Sequence, residues 1–352
     1  MPERTYDKFD YDTHWVSERL EQGLWGIENP LILGILKFSM PWNVLAVIYS
    51  VLFWETLTPV FIYSSALGLL WVNIAPYLIW YYDERVLPEF FTSFSELLAD
   101  EQERASIAKK YNEFFARHRL SVSVFWTISI VSIIYVSEPA LTTMGMSGAG
   151  ALFLYTTYAY GIYIGAVLGH GFVGPVTTML LIHEITTYDL EIDPLHPDGL
   201  GGLSIVGSIA IRTTLLFSSA SLFLPLLFYF AESGGTTAVI FGITGIYILT
   251  IFLSFLYPTV IVNRRAQRYR DSVLEDLRQQ YATVEQQIHT PDKNEISELN
   301  KRLELQRVQR NFENYNSVSL YPLQLSILTR LAGSILLPIL ITIFQIYLSD
   351  ML

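Results

Sequence analysis

The 352-residue chain contains no cysteine, which excludes disulfides, thiolate metal sites and cysteine nucleophiles. It is also poor in charge: 16% of residues are charged against 51% hydrophobic, and the mean hydropathy is +0.37. A soluble chain of this length needs a far more polar surface. Lysine is scarce, with six residues against sixteen arginines, and acids outnumber both together for a net charge of −11. That balance gives no general attraction to nucleic acid. Together with the absence of cysteine it suits a salt-loving prokaryote. Also missing are a phosphate-cradling loop of the Walker type, a G-x-S-x-G elbow and a G-x-G-x-x-G turn after a strand. The stretch from Met1 to Asp12 is acidic and polar and lacks the apolar core of a signal peptide. No catalytic residue is assigned, and no cofactor is implied.

What the chain does have is long uncharged runs. A helix needs about 20 apolar residues to cross the hydrocarbon core. Seven segments qualify: 30–54, 57–81, 120–137, 149–182, 204–231, 236–262 and 330–349. The sequence therefore predicts an all-α, polytopic protein of the cell membrane with seven transmembrane helices. Its parts are an N-terminal amphipathic segment (1–29), a six-helix membrane bundle (30–262) with an added helix or helix pair at 88–119 that leads into span three, a helical hairpin or helix extensions (263–329) and a closing seventh span (330–352). Nineteen Lys and Arg residues fall in the N-terminal stretch and in the connections after spans two and six; none falls in the other turns or the C-terminal tail. By the positive-inside rule the N-terminus and the hairpin are cytoplasmic and the C-terminus lies outside. Lys37, Arg212 and Arg330 lie inside spans, close enough to the basic side to snorkel to the headgroups.

His14 to Glu28 reads as an amphipathic helix, with Trp15, Leu20, Leu24 and Ile27 on one side, lying along the inner leaflet or against the bundle. Ala266, Tyr269, Val273, Leu277, Tyr281, Val284 and Ile288 recur at steps of three and four. Thr290-Pro291-Asp292 then stops one helix and caps the next. This hairpin needs a partner for its apolar seam, either within itself or in another subunit.

Several constellations could carry chemistry. Ser334, Pro338, Thr342, Gln345 and Ser349 share one face of the seventh span, amid Leu, Ile and Phe. Around a symmetry axis this face would line a narrow pore with hydroxyl and amide rings; within one subunit it would be a polar seam. Between spans four and five, five carboxylates and two imidazoles fall within the 16 residues from His183 to Asp198. His183, Glu184, Asp193, His196 and Asp198 are candidate cation ligands, though their spacing matches no metal signature. The alternative is a stiff acidic loop that re-aims the chain. Gly161, Gly165 and Gly169 offer a smooth helix face for close packing. Tyr155, Tyr158, Tyr160 and Tyr163 are either an interfacial belt or the lining of a cavity. His170 and Arg212 are ionisable at membrane depth and so are functional candidates.

The charge-free outer turns, the helical stretch Arg264 to Asn316 and the closing span Arg330 to Ser349 together resemble the seven-helix ligand-gated ion channels typified by insect odorant and gustatory receptors. The resemblance extends over most of the chain in topology. It departs from the family at the T-Y…Q-F signature, where Gln345 is followed by Ile346, and in the acidic loop at 193–202. What it implies is a homotetramer joined through cytoplasmic helices, a pore lined by the last helix and a small-molecule ligand, in contact with the lipid bilayer and not with nucleic acid. Two other readings stay open: a metal-dependent membrane enzyme acting at the 183–202 loop, and a non-catalytic sensor or scaffold working through the hairpin.

Overall fold

The computed structural model describes residues 11–98, 100–143, 150–188, 193, 195–196, 201–234, 237–288 and 295–317, with 340, 343, 344 and 347. These residues are mainly helical, with no strand among them, and the helix ends are set by local chemistry. α1 (Trp15–Glu21) precedes α2 (Pro30–Gly34), whose first turn is capped by the Asn29 side chain accepting from the Leu31 and Ile32 amides. A π-helical turn, Ile35–Ser39, leads into α3 (Met40–Leu52). α4 (Pro59–Tyr81) is capped by Thr58, whose hydroxyl accepts from the Phe61 amide at 3.2 Å, with proline at its first position. A second π-helical turn, Tyr82–Val86, joins α4 to α5 (Leu87–Glu96). Asp100 caps α6 (Glu101–Val136), and α7 (Glu138–Thr143) follows. The remaining helices are α8 (Gly150–Ile185), α9 (Ser204–Ser219), α10 (Leu224–Gly234), α11 (Thr237–Ile288) and α12 (Glu295–Ser317).

Six of these stretches are long and apolar enough to cross a membrane: Pro30–Leu52, Pro59–Ser93, Ser106–Val136, Gly150–Ile185, Ser204–Tyr229 and Ile240–Gln287. They coincide with the first six expected spans. The seventh expected span lies outside the described residues except for Leu340, Ile343, Phe344 and Tyr347, which are exposed; the Phe344 ring is 5.7 Å from that of Tyr63 on α4. Large apolar side chains face outward along the six spans: Val44, Val47 and Val51 on α3, Val124 and Ile128 on α6, Ile246, Leu249 and Leu253 on α11. A soluble protein could not carry so much exposed apolar surface. A lipid-facing wall requires it.

Two cores stack along the bundle. Phe90, Phe91, Tyr111, Phe115, Leu181 and Val206 gather at the end that carries the basic residues. Trp71, Ile133, Phe172, Phe217, Phe223 and Tyr247 gather toward the charge-free turns. α6 and α8 pack closely along their length, and the glycine steps of α8 explain it. A Cβ on Gly165 would stand 2.5 Å from Thr127 Cα, and one on Gly169 2.5 Å from Ser123 Cα. Only glycine allows the two backbones to approach so closely.

Of the two readings open for 88–119, one helix or a pair, the structure has the pair, α5 and the first turns of α6, and α6 continues without a break into the third span. The amphipathic helix expected over 14–28 stops at Glu21, because Gly23 and Gly26 take positive φ of 59° and 80° and turn the chain. α11 is a single helix of 52 residues, about 78 Å long. It carries the sixth span straight on into the charged stretch, where α12 folds back along it.

Candidate functional site

Toward the charge-free turns, α3, α4, α6, α8 and the segment around α10 enclose an apolar cavity of about 280 Å3. That is close to the lower end of the range of ligand pockets, about 300 Å3. Trp42, Tyr49, Phe61, Ile133, Phe153, Tyr160 and Phe223 line it. The small side chains of Ala46 and Ala66 leave room in its wall that the surrounding aromatic rings do not close. Few polar groups reach it. The Tyr49 hydroxyl meets that of Thr156 at 3.0 Å, and the hydroxyls of Ser50 and Ser65 border the same space. The Tyr160 hydroxyl is buried with no hydrogen-bond partner among the described residues. Of the four tyrosines of α8, Tyr155 is exposed, Tyr158 donates to Glu138, and Tyr160 and Tyr163 pack on Trp42 at 5.1 and 5.3 Å. One therefore stands outward as a belt residue would, and one lines a cavity.

At the opposite, basic end a carboxylate is buried completely. Asp83, 1% exposed, accepts from the His14 backbone amide at 2.8 Å, meets His14 Nδ1 at 2.8 Å and accepts from the Ser17 hydroxyl at 2.5 Å. The π-helical turn makes this possible: its extra residue rotates Tyr82, Asp83 and Val86 together into the core. His14 also stacks edge-on against Phe115 and against His170, with ring centres at 5.1 and 5.4 Å. The Nε2 atoms of both histidines are buried without a hydrogen-bond partner among the described residues. Between them the two rings fasten α1 to α4, α6 and α8. His170 thus packs beside the His14–Asp83 group at the basic end.

Of the five candidate ligands of the acidic loop, His183, Glu184, Asp193 and His196 are among the described residues. Glu184 pairs with Lys110, whose ammonium sits 4.8 Å above the Tyr188 ring. His183 Nδ1 meets the Tyr257 hydroxyl at 3.1 Å on a different neighbour. The Asp193 side chain accepts from the Leu195 amide at 2.9 Å and its carbonyl from the His196 amide at 3.1 Å, so it closes a turn. Asp198 lies outside the described residues, and among those described no three His, Asp or Glu side chains are grouped to hold a metal. Arg212 pairs with Glu89, and the Lys37 ammonium reaches the Arg19 carbonyl at 2.6 Å, so both cations inside spans find partners toward the basic end. Ser334, Thr342, Gln345 and Ser349 lie outside the described residues, as does Arg330.

Sequence reasoning offered a cavity as one reading of the α8 tyrosines, but it found neither the other walls of the Trp42–Tyr160 cavity nor the His14–Asp83 knot. No linear signal exists for either, since each is made by residues from helices far apart in the chain. Comparison with protein-family models, with curated proteins and with solved structures finds no match. The fold by itself defines the class: a multi-pass, all-helical membrane protein with six membrane-competent helices among its described residues.

Proposed function

We propose that the protein is a homo-oligomeric ion channel of the cell membrane, with the seventh helix lining the pore and a small apolar molecule as its gating ligand. The observation that carries the reading is the hairpin of α11 and α12. α11 leaves the membrane as a rigid rod, and α12 packs back on it through Val308, Leu274, Leu277 and Val284. Leu299 and Leu303, one turn apart on α12, remain 57% and 55% exposed. An exposed leucine pair on an otherwise charged helix is a contact surface awaiting another copy, and four copies around an axis bring four closing spans together. In this reading the N-terminus and the hairpin are cytoplasmic, which the distribution of Lys and Arg supports. Ser334, Thr342, Gln345 and Ser349 then form uncharged polar rings in an apolar pore that selects weakly among ions.

The cavity supplies the stimulus. Its wall includes Phe223, Leu226 and Leu227, and the neighbouring Phe228 packs on Phe241 of α11 at 5.2 Å. The Tyr247 hydroxyl of α11 donates to the Phe217 carbonyl at 2.5 Å. A ligand that displaces the wall therefore bears on the rod that ends in the hairpin. The test is a subunit count by native mass spectrometry, followed by bilayer recording of Thr342→Leu and Gln345→Leu. The reading expects a tetramer and a reduced conductance in both variants. A monomer, or conductance unchanged in both, sinks it.

A further inference from the structure

The connection between α1 and α2 is a closed turn with an unusual residue at its tip. The Leu24 amide donates to the Ile27 carbonyl at 3.3 Å and the Ile27 amide donates to the Leu24 carbonyl at 2.8 Å. The two residues between them, Trp25 and Gly26, have φ of 50° and 80°. Positive φ at both central positions is the type I′ arrangement, for which Asn-Gly is the favoured pair. A bulky residue in the left-handed region is strained, so Trp25 is not there for the turn's own sake. Nor is it there for packing. The flanking Leu24 and Ile27 lean on Val16, Leu20, Leu33 and Ile79, while Trp25 itself is 88% exposed.

Its place along the molecule supplies a reason. Trp25 stands five residues before Pro30, where the first membrane-competent helix begins, and the exposed Leu31 and Ile32 follow on that helix's first turn. The Lys37 ammonium inside that span donates to the Arg19 carbonyl, which holds the end of α1 beside the first turns of the span. The turn is therefore kept at the level where the chain passes from water to lipid, continuous with the lipid-facing wall. An indole combines a large apolar ring with one N–H donor and is best accommodated at that boundary. We propose that Trp25 is inserted into the headgroup and glycerol layer of the bilayer on the basic side, so that the turn anchors α1 to the membrane from outside while the His14–Asp83 knot holds it from within. The occupant is a phospholipid surface, and strain in the turn is offset by transfer of the ring out of water.

The absence of native cysteine makes the test direct. Trp25→Cys carries a nitroxide label as the single thiol of the full chain, reconstituted in phospholipid vesicles, with Gln279→Cys, exposed on the side of α11 away from α12, as the aqueous reference. Power-saturation resonance is measured with oxygen and with a water-soluble nickel chelate. The expected result is a label at 25 that the chelate reaches severalfold less, and oxygen more, than the label at 279. Equal access of the chelate at both sites places the turn in water and overturns the proposal. Exclusion of both reagents with an immobilised spectrum means that protein covers the turn, and overturns it as well. A second measurement leaves an aromatic residue in the turn: with lipids brominated near the headgroup, Trp25→Phe should lose part of the tryptophan quenching that the parent chain shows. Identical quenching in the two proteins would contradict insertion.

Discussion

His14 and Asp83 stand 69 positions apart and meet through both the backbone amide and the ring of the histidine, at 2.8 Å each. With the Ser17 hydroxyl, three donors converge on one carboxylate that has no contact with solvent. A buried donor left without an acceptor costs about 1–3 kcal/mol. Asp83→Ala strands three of them and should lower the stability of the detergent-solubilised protein by at least about 3 kcal/mol. Ser17→Ala should cost nearer 1 kcal/mol. A double-mutant cycle of His14→Ala and Asp83→Ala, read by thermal unfolding, should return a coupling of about 1–3 kcal/mol. Simple additivity of the two losses is the outcome that would exclude the knot.

The glycines of α8 and α11 predict opposite responses to the same substitution. Gly165→Ala and Gly169→Ala each drive a methyl group to 2.5 Å from backbone of α6, and backbone cannot rotate away as a side chain can. Overpacking of this kind costs about 1–3 kcal/mol. Gly242 and Gly245 on α11 meet nothing within 4 Å. Alanine there should be neutral or raise stability by up to about 1 kcal/mol through helix propensity. Thermal melts of the four single variants distinguish the pairs, and equal behaviour would refute the close contact of α6 and α8.

The cavity predicts a loss of binding without a loss of fold. Ala46 lines it from α3, so Ala46→Phe fills space that is empty and disturbs no hydrogen bond. Binding of an apolar fluorescent probe should weaken at least about tenfold, the equivalent of 1.4 kcal/mol, while the melting temperature holds or rises. Tyr160→Phe removes only the unpartnered hydroxyl. It should leave an alkane-like probe unaffected and weaken one that carries a hydrogen-bonding group. Unchanged probe affinity in Ala46→Phe would show that the probe binds elsewhere.

The six spans were legible because their signal is composition over about 20 residues, and lipid imposes that composition directly. Their lengths were less so. Hydropathy starts the third span at Leu120, yet α6 begins at Glu101, because charged residues such as Lys110 and Arg117 are good helix formers once outside lipid. The amphipathic pattern from His14 to Glu28 was real, but two glycines with positive φ broke its helical continuation. Asp83 was unreadable for a different reason. In the run Asp83-Glu84-Arg85 it looks like any charge at a span's end, and only the π-helical turn rotates it inward. The acidic loop shows the converse: His183 and Glu184 are neighbours in sequence but turn to Tyr257 and Lys110 respectively.

The hairpin gives the sharpest test of assembly, because its two apolar sides can be changed separately. Val308 is buried between α11 and α12, so Val308→Asp places an unpaired charge inside one subunit and should unfold the hairpin. Leu303 points away from that seam and makes no such contact. Leu303→Asp should therefore keep the helix content and melting temperature of the parent while lowering the subunit count in native mass spectrometry. Leu299→Asp should do the same, and the double variant more completely, since the two share one turn of one face. Were Leu303→Asp to melt at lower temperature with its subunit count intact, the exposed leucines would be supporting their own subunit, and the oligomer would have to be held together through the membrane spans.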